Sequence, residues 1–253
     1  MERGLLFVIT APSGCGKGTL RRALLKEQPE IRFCPSITTR EPRPGEINGI
    51  DYIFVSKQEF LNKKERDELA EWAEVYGNYY GTPREEIEMT LGDGCSVVIE
   101  KDVQGARTLR QVYPEGIFIF ILPPSLDELR RRIESRGTEK ETEMHIRLES
   151  ARGEIADLGD FDYVIINADV ERAKNRLVAI TMGERVASGI SPCKAQRRSG
   201  NDKPGAKECG QGDRFQVYSG DCSCQARKAY SGKKGQQPSG GPQTGHNCIG
   251  RDS

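Results

Sequence analysis

Long hydrophobic runs are absent from this sequence of 253 residues. Its two longest apolar stretches, residues 5–9 and 117–122, hold five and six residues, whereas a membrane-spanning helix needs about 20. The run near the N-terminus is also shorter than the apolar region of a secretory signal peptide. The sequence therefore predicts neither a membrane association nor export, and we expect a cytoplasmic protein.

Paired cysteines are missing from the first 190 residues. Cys15, Cys34 and Cys95 are widely separated there, so we expect free thiols. The other five cysteines follow residue 190. Four of them, with His246, could supply soft ligands for zinc: Cys209, Cys222, Cys224 and Cys248. Their spacing lacks the C-x₂-C pairs of common zinc sites, which leaves zinc binding as the weaker alternative.

A net charge is absent as well, because 38 Lys and Arg balance 38 Asp and Glu. The balance hides a division, since residues 191–253 hold 11 basic and 5 acidic residues and are rich in Gly, Ser, Gln and Pro. Such a segment offers little apolar surface to offset the entropy of folding. We interpret 191–253 as a disordered basic tail of low complexity and 1–190 as an acidic folded domain, which argues against a specific nucleic-acid partner.

Short apolar runs alternate with helical patterns along residues 1–190. Ser125 and Glu128 form a capping box at the start of one of these helices. Continuous apolar runs indicate strands buried on both faces, and their alternation with helices predicts an α/β fold of three layers with a parallel central sheet. The predicted strands are 5–10, 96–99, 116–122 and 163–166, and the predicted helices are 17–27, 104–112, 126–135 and 170–182.

Two segments interrupt this alternation. Residues 34–94 are rich in turns and aromatic residues, which indicates a subdomain inserted between the first helix and the second core strand. Residues 136–146, "RGTEKETEMHI", are charged and lie between two predicted helices, and we interpret them as a mobile lid.

The stretch "APSGCGKGTL" at residues 11–20 follows the first strand and opens the first helix. Strand, glycine-rich loop and helix form the context in which backbone N–H groups and a helix N-terminus bind phosphate. Lys17 stands where a lysine reaches the β- and γ-phosphates of ATP, although a glycine-rich turn without function is the alternative. The predicted ATP-binding residues are Ala11, Pro12, Ser13, Gly14, Cys15, Gly16, Lys17, Gly18 and Thr19.

Gly18 departs from the common pattern, in which a Ser or Thr at this position holds magnesium. Thr19 carries a hydroxyl one position later. Magnesium keeps several water ligands and binds largely through the phosphates of its substrate. The sequence therefore predicts a Mg²⁺ ion that accompanies ATP, without a certain protein ligand.

Arg40 and Arg43 lie three residues apart on a turn that contains two prolines, with Tyr52 nearby. Arginine side chains form paired hydrogen bonds with phosphate. The pattern indicates a second phosphate site, and a solvated basic turn is the alternative.

Four further motifs carry a family resemblance. "TTREPRPGEINGIDYIFVS", "EWAEVYGNYYGTP", "DVQGA" and "RIESRGTE" resemble guanylate kinases in the same order, and with the phosphate loop they cover residues 3–182. The resemblance implies a P-loop kinase fold with a GMP-binding insert and a lid. It also implies transfer of the γ-phosphoryl group of MgATP to GMP, and to dGMP as well.

The resemblance also implies roles for single residues. Glu71 and Thr82 would bind the guanine base, because a carboxylate accepts from the N1–H and amino groups together and a hydroxyl donates to O6. The arginines and tyrosines would hold the phosphate of GMP. The implied GMP-binding residues are Ser36, Arg40, Arg43, Tyr52, Glu71, Tyr80, Thr82 and Asp102.

The same resemblance assigns Arg132, Arg136 and Arg147 to the transferring phosphoryl group, together with Lys17, Arg40 and Arg43, and places Asn167 near the adenine of ATP. A solvated helix face is the alternative for Arg132 and Arg136, which lie four residues apart. Nothing in the sequence predicts a protein partner.

One stretch departs from the family. Glu100-Lys101-Asp102 stands where guanylate kinases have Asp, an aliphatic residue and Asp. Magnesium contacts near Thr19, Glu100 and Asp102 would shift as a result, and a catalytically inactive binding module becomes the alternative function. A buried lysine is costly unless it is paired, so Lys101 must reach solvent, find a carboxylate or reshape the strand end.

Overall fold

The computed structural model describes residues 2–75, 77–135, 141–156, 158–190 and 218–219. Within these ranges, ten strands form two sheets, one of six strands and one of four. The strands are β1 (Leu6–Thr10), β2 (Arg32–Phe33), β3 (Ser36–Thr38), β4 (Tyr52–Phe54), β5 (Leu69–Val75), β6 (Asn78–Pro83), β7 (Val97–Lys101), β8 (Ile117–Leu122), β9 (Tyr163–Ile166) and β10 (Tyr218–Ser219).

Helices follow most of the core strands, as the sequence predicts. Ser125 accepts a hydrogen bond from the backbone N–H of Glu128 at 3.1 Å, which confirms the predicted cap. The helices are α1 (Lys17–Glu27), α2 (Lys57–Glu65), α3 (Arg84–Gly92), α4 (Val103–Val112), α5 (Leu126–Glu134), α6 (Glu141–Ala156) and α7 (Val170–Ala187), with a 3₁₀ turn at Leu158–Asp160.

The larger sheet has the order β10-β9-β8-β1-β7-β2. All of its pairs are parallel except β10 with β9, so the predicted parallel sheet is confirmed and carries one antiparallel edge strand. Tyr218 and Ser219 of that edge strand are the only part of the predicted tail that the structure describes.

Strand β1 lies at the centre of the sheet and is buried on both faces. Leu6 and Val8 belong to one apolar cluster, whereas Phe7 and Ile9 belong to another. Helices α3 and α4 cover the first face, and α1 and α7 cover the second. The three predicted layers follow, because alternate side chains of a strand point to opposite faces.

The smaller sheet, with the order β4-β3-β6-β5, lies within the predicted insert. Phe60 of α2 packs with Ile37 and Leu69 beneath it. The helix α3, also within residues 34–94, instead places Ile87 and Leu91 in the core cluster of the larger sheet. The sheet of the insert ends at Pro83, and the rest of the predicted insert packs on the core.

Two expectations need correction or refinement. Cys95 is disulfide-bonded, so the prediction of three free thiols is wrong for it, while Cys15 and Cys34 are reduced. Residues 141–146 of the predicted lid belong to α6, and residues 136–140 lie outside the described part of the chain.

Within the described ranges, no helix is both long and apolar enough to cross a bilayer. This finding agrees with the short apolar runs of the sequence.

Candidate active site

The glycine-rich loop connects β1 to α1, as predicted. Gly14 and Gly16 have φ angles of 94° and 86°, in the left-handed region that glycine adopts readily. A Cβ atom at Gly16 would lie 2.8 Å from the side-chain nitrogen of Asn167. That nitrogen donates a hydrogen bond of 2.8 Å to the carbonyl of Cys15. Glycine is therefore required at 16 by both the backbone and a close neighbour.

Asn167, which follows β9, is almost completely buried. Its side chain supports the backbone of the loop, so its contact here is with the protein. The resemblance places it near adenine, and that role stays a prediction.

Lys17 is the first residue of α1, and its ammonium donates to the backbone carbonyl of Lys101 at 3.0 Å. The contact follows from the register of the sheet, in which Thr10 is opposite Lys101. The end of β7 and the phosphate loop are therefore neighbours.

Two of the three residues predicted near magnesium have protein partners. Glu100 lies 3.2 Å from Nε of Arg21. Asp102 is the N-cap of α4, and its Oδ1 accepts from the backbone N–H of Gly105 at 2.7 Å. Thr19 is exposed. No group of three or more His, Cys, Asp or Glu is arranged to hold a metal in the part of the chain that the structure describes.

Gly18 leaves open space beside these carboxylates. A Cβ atom at this position would meet its nearest neighbours, Nη1 of Arg22 and Oε1 of Glu100, at 3.8 Å. A serine would therefore fit, and its hydroxyl would lie close to Glu100.

The predicted phosphate turn is organised by Glu46. Its two carboxylate oxygens each accept from Nη2 of Arg40 at 2.9 Å, and Oε2 also accepts from the backbone N–H of Arg43 at 2.7 Å. Burial alone would lower the pKa of Arg40, but the bonds to Glu46 raise it above its ordinary value. The Arg43 side chain is exposed.

Two tyrosines stand beside Arg40. The rings of Tyr52 and Tyr80 meet edge to face, with centroids 6.3 Å apart, and the Arg40 guanidinium lies 5.4 Å from the centroid of Tyr52. Burial and the nearby Glu100 raise the pKa of Tyr52, so its hydroxyl remains a donor at neutral pH. Of the residues predicted to hold the phosphate of GMP, the structure thus brings together the side chains of Arg40, Tyr52 and Tyr80.

The predicted base-binding residues meet in a buried polar cluster. Glu71 of β5 accepts a hydrogen bond of 2.6 Å from the hydroxyl of Thr82 on β6. The ammonium of Lys101 lies 2.5 Å from the same carboxylate oxygen and donates to Ser36 at 2.9 Å. Of the three outcomes expected for Lys101, the structure therefore shows the one in which it finds a carboxylate.

The predicted arginines are described unequally. Arg132 donates to Glu128 at 2.9 Å and to the carbonyl of Asn167 at 3.0 Å, so it points toward the loop and is not simply on a solvated face. Arg136 lies outside the described residues. Arg147 belongs to α6, and its side chain is not described.

Sequence reasoning missed three residues of the site. Arg21 forms an ion pair with Glu100, and its guanidinium lies 3.9 Å from the ring centroid of Phe33. Glu46 binds the phosphate turn. Glu154 of α6 has a raised pKa, chiefly because of burial, and Lys17 and Asp102 are among the charges that act on it. The position of Glu46, three residues after Arg43, could have indicated its role in the phosphate turn. Nothing local in the sequence indicates the roles of Arg21 and Glu154.

The fold and the site together define a P-loop phosphotransferase: a glycine-rich loop follows the central strand of a parallel sheet, and an inserted sheet stands beside it. The family model for guanylate kinase matches residues 3–182. The chain belongs to the guanylate kinase family and is an ATP:GMP phosphotransferase.

Several relatives support this placement. The guanylate kinase of Bacillus subtilis (strain 168) is 47% identical over 186 residues, which cover 73% of this chain and 91% of the relative. That of Desulfitobacterium hafniense (strain Y51) is 45% identical over 184 residues, covering 73% and 92%. A crystal structure of guanylate kinase from Anaplasma phagocytophilum superposes with a TM-score of 0.61 at 37% identity, covering 72% of this chain and 87% of that one.

Proposed function

We propose that phosphoryl transfer from MgATP to GMP takes place at the end of β7, with ATP on the phosphate loop and GMP on the inserted sheet. One observation carries this proposal. Lys17 contacts the backbone of Lys101 at 3.0 Å, and the side chain of Lys101 contacts Glu71 at 2.5 Å. Donor and acceptor sites are therefore separated by a single residue.

On the ATP side, the loop supplies backbone N–H groups and the positive end of α1. Lys17 neutralises charge on the β- and γ-phosphates. During transfer, the bond between the γ-phosphorus and the oxygen it shares with the β-phosphate breaks, and ADP retains that oxygen. A phosphate oxygen of GMP forms the new bond, so the products are ADP and GDP.

On the GMP side, Arg40 now holds the Glu46 carboxylate, which is an anion of similar geometry to one edge of a phosphate. We propose that the GMP phosphate binds Arg40, Arg43 and the two tyrosine hydroxyls, with Glu46 fixing the turn. Charge-assisted and paired hydrogen bonds of this kind are among the stronger polar contacts in proteins.

At the base, the Glu71 carboxylate accepts from N1–H and the amino group of guanine, whereas adenine has an acceptor at N1. Thr82 and Ser36 add hydroxyls, and Asp102 adds a second carboxylate nearby. The polar cluster has no contact that depends on the ribose 2′-hydroxyl in our assignment, so dGMP is a substrate as well.

Magnesium fits this site as an ion held mainly by phosphate oxygens and water. The nearby protein oxygens are those of Thr19, Glu100 and Asp102, and the last two already have protein partners. When bound with ATP, the ion supplies charge neutralisation on the β- and γ-phosphates. Arg132, with Arg136 and Arg147 from the segment that follows, would stabilise the charge on the transferring group.

The test is a coupled assay of ADP release with MgATP and each of GMP, dGMP, AMP, CMP and UMP. We expect turnover with GMP and dGMP, and a loss of about 100-fold or more when Lys17 is replaced by alanine. The matched control is Lys174→Met, because Lys174 pairs with Glu27 and Glu171 away from the site. Binding of GMP without turnover would instead favour a binding module, and equal turnover of AMP would refute the base assignment.

A further inference from the structure

Lys101 contacts both halves of the site although it stands at a position that is aliphatic in the family pattern. Its side chain is 7% exposed. The ammonium bonds Ser36 and Glu71, and the backbone carbonyl accepts from Lys17. Ser36 and Glu71 are assigned above to the guanine base, so Lys101 is bonded to two base-binding residues at once.

These bonds fix the orientation of the Glu71 carboxylate. Its Oε1 receives both the Lys101 ammonium and the Thr82 hydroxyl, at 2.5 and 2.6 Å. No donor among the described residues is bonded to Oε2, which lies 3.5 Å from where a Cβ of Gly105 would be. Oε1 is therefore already occupied by two protein donors, and Oε2 is available to accept from the N1–H and amino groups of the ligand.

The cation also balances the charge of the polar cluster. The Glu71 side chain is 4% exposed, and a buried carboxylate that loses its cationic partner is strongly disfavoured. With Lys101 present, the charges of the pair sum to zero, and the carboxylate keeps its capacity to accept. Guanine can then bind without another cation having to enter to balance Glu71.

We propose that Lys101 is a specificity-determining positioning residue for GMP: it holds Glu71 and Ser36 in the arrangement that binds the guanine base. The inference rests on the proposed function, because it assumes that Glu71 binds guanine. Lys101 acts through Glu71 and is not assigned a contact with the reacting atoms.

The test is steady-state kinetics of Lys101→Met, which preserves length and removes the charge. The variant loses the charge-assisted contact that orders the Glu71 carboxylate. We therefore expect KM for GMP to increase about 10- to 100-fold. Turnover at saturating GMP and KM for ATP should each change less than about 3-fold. The control is Lys174→Met, a lysine that is 15% exposed and has two carboxylate partners, which should change none of these values.

A double-mutant cycle separates positioning from a merely structural role. Glu71→Gln alone should raise KM for GMP, and Lys101→Met combined with Glu71→Gln should raise it no further, because the two residues act as one unit. The double variant also carries no unpaired buried charge, so it serves where Lys101→Met alone does not fold.

The outcomes are distinct. An unchanged or lowered KM for GMP in Lys101→Met, with a raised KM in Glu71→Gln, overturns the inference and leaves the base assignment intact. Additive effects in the cycle overturn it too. An unchanged KM in Glu71→Gln overturns the base assignment, and the inference fails with it.

Discussion

Replacement of Gly16 by alanine tests whether the loop geometry controls ATP binding. Gly16 has a φ of 86° and caps α1. A methyl group there would approach the amide nitrogen of Asn167 to 2.8 Å, closer than real Cβ contacts occur. Either the loop must change conformation or Asn167 must move away.

The cost follows from two separate effects. A non-glycine residue in the left-handed region costs about 1–2 kcal/mol. Movement of Asn167 removes its hydrogen bond to Cys15, which contributes about 0.5–1.5 kcal/mol. Together they predict a loss of about 1.5–3.5 kcal/mol in the free energy of unfolding, with the phosphate loop left without the support of Asn167.

The assays are urea denaturation followed by circular dichroism and the KM for ATP. Gly183→Ala is the matched control, because Gly183 is exposed within α7, with no atom within 4 Å of an added Cβ. This control should gain about 0.5–1 kcal/mol, since alanine favours a helix interior. If Gly16→Ala matched wild type in both stability and KM for ATP, our account of the loop would be refuted.

Two more changes test the charged side of the site. Burial raises the pKa of Glu154, so the folded state binds more protons than the unfolded state, and the wild type loses stability as pH rises through and above the ordinary glutamate range. Glu154→Gln should therefore melt at a higher temperature than wild type at pH 7, with a smaller difference at pH 4. The exposed control Glu149→Gln should show no such trend. A larger gain in melting temperature at pH 4 than at pH 7 would contradict this reasoning. Gly18→Ser should fold normally, because the nearest atoms to its new Cβ lie 3.8 Å away. The added hydroxyl ligand should lower the magnesium concentration for half-maximal activity about 2- to 10-fold. A loss of activity beyond 10-fold would show that the serine does not fit.

Local signals were sufficient for the elements of the core. Residues 17–27 and 163–166 were predicted with the bounds that the structure shows, because a helix with a clear apolar face and a buried strand are both determined by neighbouring residues. The last helix was predicted to end at residue 182 but continues to Ala187. Met182 and Val186 are exposed there, so the apolar pattern becomes unclear before the helix ends.

The contacts of the site were less predictable, because its pairs join distant parts of the chain. Lys101 and Glu71 are 30 residues apart, and they meet only when β7 of the core sheet reaches β5 of the insert. Glu100 lies opposite Ile9 in the register of β1 and β7. This register brings Glu100 to Arg21 of α1, the helix that follows β1. Register in a buried sheet is determined by the whole core, which a local pattern does not contain.

The departure at Glu100-Lys101-Asp102 shows how one strand end can serve two ligands. Side chains alternate along β7, so Glu100 and Lys101 point to opposite faces of the sheet. Glu100 meets Arg21 of α1, on the side of the phosphate loop, whereas Lys101 meets Glu71 of the insert. A change at 101 should therefore alter GMP binding, and a change at 100 should alter the helix that follows the loop. The lysine is accommodated because the opposite face already contains a carboxylate, which converts a costly buried charge into a buried pair.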